Sequence, residues 1–135
     1  QNQAQITRIN RSLLAKIIFE SPQERLWLEE LIHPLVKMKL HKTLEEQKGS
    51  SIVAMIIPLL FEANLSNICS EIWVINCTVN QQYKRLIERD KLTVREAMQR
   101  IKSQWPIQKK VQFADVVINN TGELEAWRKD VDNLF

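Results

Sequence analysis

The most distinctive chemistry in this sequence lies in a basic stretch of its C-terminal half. Residues 84–110 contain nine lysines and arginines against three acidic residues, a net charge of +6, whereas the whole chain of 135 residues carries +3. Guanidinium and ammonium groups concentrated in this way can neutralise a polyanion such as a nucleoside triphosphate. Two solvated amphipathic helices would show the same pattern, so charge alone favours a phosphate clamp and an exposed helical surface about equally.

The composition is that of one globular domain or of a large part of one. Hydrophobic residues make up 44% of the chain, and two glycines are too few for a linker-rich architecture. The longest apolar stretch, Ile52–Phe61, contains Pro58 and is much shorter than the roughly 20 residues that cross a bilayer. Gln1–Arg11 lacks the apolar core of a signal peptide, and two cysteines make no disulfide framework. We therefore expect a cytoplasmic protein without a membrane partner.

Capping residues and apolar spacing predict the helices of the N-terminal third. Asn10 opens a short amphipathic helix, and the capping box Ser21-Pro22-Gln23-Glu24 starts a second one with proline at its first position. Apolar residues then recur at spacings of three and four, the helical period. Pro34 falls within this stripe, so we expect a kink or break near His33. Gly49 and the serines after it mark the end.

Three further helices are predicted in the rest of the chain. Thr78 precedes a helix over residues 81–90, and Thr93, with a glutamate three residues on, caps the next one. Asn120 with Glu123 caps a final helix that runs towards the C-terminus.

Three apolar runs between these helices predict strands, at 52–57, 71–77 and 115–119. Strands that alternate with helices imply an α/β fold, with a parallel sheet between two layers of helices. Parallel sheets bind ligands beyond the carboxyl ends of their strands. These ends are Pro58–Glu62, Cys77-Thr78 and Asn119–Gly122.

Several short motifs, each weak alone, together resemble the dephospho-coenzyme A kinases, a P-loop family similar to the nucleoside-monophosphate kinases. The resemblance extends from Asn10 to Phe135. It implies an ATP-dependent transferase that moves the γ-phosphoryl group to the ribose 3′-hydroxyl of dephospho-coenzyme A, the last step of coenzyme A synthesis. The motifs are Arg11-Ser12-Leu13-Leu14, Leu31-Ile32-His33-Pro34, Pro58-Leu59-Leu60-Phe61-Glu62, Glu71-Ile72-Trp73-Val74, Arg89-Asp90, Gln104-Trp105-Pro106 and the run Ala114–Gly122.

The resemblance also implies a division of the chain. Residues 1–135 would form one partial P-loop kinase domain with a three-layer parallel sheet. Its helical acceptor-binding region would be 11–48, its core 52–83 and 114–135, and its helical lid 84–113, which we call the lid segment.

In related kinases the lid folds over ATP, and its arginines neutralise phosphate oxygens. The resemblance places Arg89 and Arg100 in this role, Arg89 being the stronger candidate. Asn120 can contact the edge of the adenine ring and can also cap the last helix. For Arg89 the alternative is a local ion pair with Asp90 at the helix end. Lys110 also matches the family pattern, and its role could be mere solvation of the lid.

Acceptor-binding residues are expected in both halves of the chain. Leu59, Leu60 and Phe61 would wall an apolar pocket, while Glu62 would hydrogen-bond a ribose hydroxyl or, alternatively, compensate a helix N-terminus. We favour a structural or substrate-positioning role for His33, because phosphoryl transfer relies on positioning rather than on a nucleophilic histidine. The complete set of acceptor candidates is Arg11, His33, Pro58, Leu59, Leu60, Phe61 and Glu62.

One element of the family is missing from this sequence. A phosphate loop has the pattern G-x-x-x-x-G-K-[ST], and the only glycines, Gly49 and Gly122, are far apart. We therefore interpret the chain as an incomplete kinase that holds neither catalytic nor metal-binding residues. ATP would enter with Mg²⁺, and the isolated chain should be inactive.

Two other functions compete with the kinase as interpretations of the sequence. A non-catalytic interaction or regulatory domain, derived from a nucleotide kinase that lost catalysis, would keep the same surfaces without holding triphosphate. A nucleic-acid contact is disfavoured, because the acidic residues outside the basic stretch leave no continuous basic face and no recognised reading motif is present.

Overall fold

In the computed structural model of the protein, residues 9–122 and 124–132 are described. They fall into two compact units, Gln1–Lys48 and Gly49–Phe135. Within the described ranges, no helix combines the length and apolarity needed to cross a bilayer.

The first unit is a pair of packed helices, α1 (Arg11–Glu20) and α2 (Pro22–Glu46). Both begin where the sequence predicts. Asn10 Oδ1 accepts a hydrogen bond from Leu13 N at 3.0 Å, and Ser21 Oγ accepts one from Glu24 N at 3.4 Å. These caps satisfy backbone N–H groups that have no partner inside the helix.

Helix α2 continues through Pro34 and is 25 residues long, so of the predicted kink or break near His33 the break is wrong. The kink stays a prediction. A proline inside a helix removes one backbone hydrogen bond, while the turns on either side keep theirs. The helix ends at Glu46, close to the predicted stop.

The second unit is built on two short parallel strands. Strand β1 (Trp73–Asn76) pairs with β2 (Val116–Asn119) in a register that aligns Trp73 with Val116 and Asn76 with Asn119. The helices of this unit are α3 (Val79–Asp90), α4 (Val94–Lys102), α5 (Ile107–Val111) and α6 (Leu124–Asp132), and a 3-10 turn covers Ser66–Ile68.

The core of the second unit contains Phe61, Leu65, Val74, Ala97 and Ile118. Val74 lies opposite Val117, and Ile118 lies opposite Ile75. Since neighbouring positions along a strand face opposite sides, the two buried strand residues lie on opposite faces of the sheet. Helix α5 lies against β1, and α6 lies against β2.

The predicted buried strand at 52–57 is wrong for the described residues. This segment has no regular secondary structure, and Ile52 and Ile56 are 70% and 95% exposed. A strand requires a neighbour that accepts and donates its backbone hydrogen bonds, and β1 and β2 pair with each other. Apolar composition predicted a strand here, but a strand also needs a hydrogen-bonding partner, which composition cannot specify.

The starts of α3 and α4 agree with the predicted caps. Thr78 Oγ accepts from Gln81 N at 3.2 Å while Gln81 Oε1 accepts from Thr78 N at 3.0 Å, and Thr93 and Glu96 exchange the same two bonds. Helix α6 begins at Leu124. The predicted cap that pairs Asn120 with Glu123 involves position 123, which lies outside the described residues, as does the C-terminal end at Phe135.

Candidate functional site

Arg89 and Arg100 are brought together by one carboxylate. Arg89 Nε and Nη2 donate to the two oxygens of Asp90 at 2.7 and 3.1 Å, and Arg100 Nη1 donates to Asp90 Oδ2 at 2.6 Å. Helix α3 ends at Asp90, and the left-handed Lys91 (φ 54°) turns the chain before α4 begins. The turn therefore sets Arg100, on α4, beside the end of α3.

The two arginines differ in their exposure. The side chain of Arg89 is 73% exposed, whereas those of Asp90 and Arg100 are 23% and 27% exposed. The hydrogen bond from Arg89 is the main reason that the pKa of Asp90 lies below its ordinary value, and the same bond raises the pKa of Arg89. The carboxylate is therefore ionised at neutral pH, and two guanidinium groups share one negative charge.

This arrangement is compatible with both roles weighed for Arg89. The helix-end ion pair with Asp90 is present, yet its guanidinium remains open to solvent and to a ligand. Two guanidinium groups donate hydrogen bonds to the oxygens of one carboxylate. Arginine binds the oxygens of a phosphate group with similar hydrogen bonds. The structure places Arg89 and Arg100 on the same carboxylate, that of Asp90. Their role in a lid stays a prediction.

Asn120 is anchored at the carboxyl ends of the strands. Its backbone N donates to Asn76 O at 2.8 Å, and Arg85 Nη2 donates to both its carbonyl oxygen (3.0 Å) and its Oδ1 (3.3 Å). Gln81 Nε2 donates to Thr121 O at 2.7 Å. Asn119–Gly122 begins at the last residue of β2, and we call it the strand-end segment. Two side chains of α3, one helical turn apart, thus fix this segment to the helix.

Arg85 is a residue whose role the sequence did not reveal. Its i+4 spacing from Gln81 places both on one face of α3, which is the signal that could have identified it. The segment that this face contacts is 35 residues away along the chain, and no local pattern indicates that distance.

The turn after residue 57, Pro58–Glu62, contacts the lid segment through an ion pair. Glu62 Oε1 lies 2.9 Å from Lys110 Nζ and accepts a hydrogen bond from Trp105 N at 2.8 Å. Lys110 Nζ also donates to Pro58 O at 3.1 Å and to Gln104 Oε1 at 3.4 Å. The side chains of Lys110 and Glu62 are only 11% and 15% exposed.

This ion pair changes the interpretation of two predicted residues. Lys110 is largely shielded from water, so solvation of the lid is not its role. Glu62 pairs with an ammonium group and accepts a hydrogen bond from the backbone N–H of Trp105, two residues before α5 begins. Its second oxygen, Oε2, is enclosed and receives no hydrogen bond from residues 9–122 and 124–132. The predicted bond from a ribose hydroxyl to Glu62 would therefore require this contact to open.

Three aromatic rings of the turn and the lid segment contact one another. Phe61 stacks on Trp105 with ring centroids 5.8 Å apart and an interplanar angle of 8°, and Phe113 lies 6.0 Å from both rings. Lys109 Nζ lies 3.5 Å from the centre of the Trp105 ring, within cation–π range. Phe61 is therefore a core residue here, whereas Leu59 and Leu60 are half-buried. The pocket predicted for these three side chains stays a prediction.

The remaining acceptor candidates lie in the first unit. Arg11 is the exposed first residue of α1, and His33 is half-buried in the middle of α2. Their acceptor roles stay predictions. In the described part of the chain, no three His, Cys, Asp or Glu side chains are grouped closely enough to hold a metal ion.

Comparison with known families gives a match over nearly the whole chain. Residues 3–126 match the sequence profile of the family described as dephospho-CoA kinase. The chain is 47% identical over 126 residues to a dephospho-CoA kinase of Prochlorococcus marinus (strain MIT 9313), covering 93% of this chain and 62% of that protein. It is 49% identical over 127 residues to one of Synechococcus sp. (strain CC9902), covering 94% and 64%.

Two solved structures resemble the fold. The crystal structure of TT1252 from Thermus thermophilus superposes with a TM-score of 0.70 at 27% identity and covers 94% of this chain and 66% of that one. The dephospho-CoA kinase from Campylobacter jejuni gives a TM-score of 0.62 at 26% identity, covering 97% and 66%. The chain thus spans about three fifths of the length of the curated relatives that it matches.

Proposed function

The chain belongs to the dephospho-CoA kinase family, and from this premise we propose that the intact protein transfers the γ-phosphoryl group of ATP to the 3′-hydroxyl of dephospho-coenzyme A. The observation that carries the proposal is the family match over residues 3–126. The product would be coenzyme A, and the reaction would take place in the cytoplasm without a nucleic-acid or membrane partner.

We propose that the lid segment acts on the triphosphate. In-line phosphoryl transfer requires that the reacting groups be positioned and that charge on the phosphate oxygens be neutralised. Arg89 has an exposed guanidinium. Asp90 holds it beside Arg100, which also donates a hydrogen bond to this carboxylate. A phosphate oxygen that reaches Arg89 would meet a group already oriented by Asp90, which lowers the cost of ordering it.

The strand-end segment would hold the nucleoside of ATP. Asn120 is fixed by Arg85 and by the backbone of Asn76, so its position relative to the sheet is well determined. This supports the proposal that its amide contacts the edge of the adenine ring.

The division of the protein is also a proposal. Residues 11–48 would bind the acceptor, 52–83 and 114–135 would belong to a three-layer core, and 84–113 would be the lid. Arg11, His33 and Pro58–Glu62 would contact dephospho-coenzyme A. The division between Lys48 and Gly49 into compact units is compatible with this assignment.

We place the phosphate loop and the ligands of Mg²⁺ outside this chain. The sequence contains two glycines, at 49 and 122, and neither begins a G-x-x-x-x-G-K-[ST] pattern. Mg²⁺ would enter with ATP, and the isolated chain would be inactive.

The test is a comparison of the full-length gene product with the isolated 135-residue chain. ADP formation that depends on dephospho-coenzyme A is expected from the full-length protein and not from the chain. Turnover by the isolated chain would contradict the assignment of the phosphate loop to another segment. A full-length protein that binds dephospho-coenzyme A without turnover would instead favour the non-catalytic domain.

A further inference from the structure

We infer that Lys110 is a positioning residue, which acts through Glu62 to hold the turn Pro58–Glu62 in place against the lid segment. The inference rests on the proposed function, because it assigns a role to the turn on the acceptor side of that reaction. Lys110 itself would contact neither ATP nor dephospho-coenzyme A.

The ammonium group of Lys110 has three polar neighbours, one in an ion pair and two in hydrogen bonds. A lysine has three N–H donors, and Nζ lies 2.9 Å from Glu62 Oε1, 3.1 Å from Pro58 O and 3.4 Å from Gln104 Oε1. Two of these oxygens belong to the turn, at its first and last residues. One side chain of the lid segment therefore spans the whole turn.

The surrounding contacts make this position well determined. Glu62 Oε1 also accepts from Trp105 N at 2.8 Å, and the Phe61 ring stacks on the Trp105 indole. The turn thus supplies a carbonyl, a carboxylate and a ring, and the lid segment supplies an ammonium, an N–H and an indole. A shift of the turn would therefore disturb all of these contacts together.

Stability alone does not account for a charged pair at this place. Lysine and glutamate side chains are almost never this shielded unless they are paired. Apolar residues of similar volume are often equal or better for stability than a shielded ion pair. Here Glu62 Oε2 also lacks a hydrogen bond from the described residues, a further cost. What the pair provides is a fixed arrangement of the turn relative to the lid segment.

The experiment uses the full-length protein with Lys110→Met and, as matched control, Lys102→Met. Lys102 is an exposed residue of α4 in the same lid segment, so both changes remove one charge from it. Lys110→Met should raise the KM for dephospho-coenzyme A by about tenfold and leave the KM for ATP within about twofold, because only acceptor binding loses preorganisation. Lys102→Met should change neither. Lys110→Arg should restore part of the acceptor KM.

A double variant separates positioning from stability. Lys110→Met leaves the Glu62 carboxylate shielded and unpaired, which should lower the Tm. Glu62→Gln with Lys110→Met removes both charges and should recover most of the Tm, while the acceptor KM stays raised. If the acceptor KM returns to the wild-type value together with the Tm, the pair is only structural and the inference is wrong.

A readout without substrate keeps the inference distinct from the proposed function. Amide hydrogen exchange of the segment 58–65 should be faster in Lys110→Met than in wild type or Lys102→Met, because the turn has lost its restraint. Unchanged exchange would overturn the inference even in an active enzyme. A wild-type protein that does not phosphorylate dephospho-coenzyme A would contradict the proposed function, and faster exchange would then still support the restraint by Lys110.

Discussion

Replacing Arg89 by alanine in the full-length protein separates a role in phosphate handling from a role in folding. The Arg89 side chain is 73% exposed, and among the described residues it donates hydrogen bonds to the adjacent Asp90. Asp90 keeps its hydrogen bond from Arg100 at 2.6 Å when Arg89 is removed. The substitution therefore leaves no shielded charge without a partner, and we expect the Tm to stay within about 2 °C of wild type.

The expected loss of activity is much larger. Removal of one group that stabilises charge in a transition state typically lowers turnover by about 10²- to 10³-fold. We expect a loss of this size for Arg89→Ala in kcat with saturating ATP and dephospho-coenzyme A. Arg89→Lys should recover only part of it, because an ammonium group cannot reproduce two parallel hydrogen bonds to one phosphate.

The assay is steady-state formation of ADP that depends on dephospho-coenzyme A, with a thermal melt of each protein. Arg95→Ala is the matched control, since Arg95 is an exposed arginine of α4 in the same lid segment. It should retain turnover within about twofold of wild type. If Arg89→Ala also retains turnover within about twofold, a trivial change in the barrier, the phosphate role is wrong and the ion pair with Asp90 is the whole function of Arg89.

Two further predictions concern the lid segment. The folded-state pKa of Asp90 is lowered from 3.8, chiefly by the hydrogen bond from Arg89, so its stabilising effect is present above the unfolded value and is lost as the pH falls through the lowered one. Melts of wild type and Asp90→Asn from pH 7 downwards should therefore differ by a constant amount until about pH 4 and converge below it; a difference that persists in acid would contradict this. Ala97 is fully buried on α4, which packs on α3. Ala97→Leu should therefore lower the free energy of unfolding, measured in urea, by about 1–3 kcal/mol. Met98→Leu, at the exposed neighbouring residue, should change it by less than about 0.5 kcal/mol.

The helices were predictable because their signals are local. Ser21 with Pro22, and Thr78 and Thr93 with the residues three positions on, each mark a helix start within four residues of sequence. The capping hydrogen bonds form between these same residues, so no distant part of the chain is needed to create them.

The segment at 52–57 shows where local signals fail. Its apolar composition is typical of a buried strand, but a strand also needs a hydrogen-bonding neighbour and a covering layer. Neither is encoded in the segment itself, and in the described residues Ile56 remains 95% exposed.

The candidate site was predicted in part for the same reason. Arg89 and Asp90 are adjacent in sequence, so their ion pair could be anticipated. The contacts of Lys110 with Pro58, and of Arg85 with Asn120, join residues 52 and 35 positions apart. Such pairs depend on how the helices pack on the sheet, which no periodicity of the sequence specifies.

The central claim, that this chain is part of a dephospho-coenzyme A kinase, is tested most directly by the product that the full-length protein makes. The protein would be incubated with dephospho-coenzyme A and ATP, and the product would be analysed by mass spectrometry and phosphorus NMR. We predict a product heavier than dephospho-coenzyme A by one phosphoryl group, which is attached at the ribose 3′-oxygen, with one ADP formed for each. Unchanged dephospho-coenzyme A, or a phosphoryl group at another position, would contradict the claim.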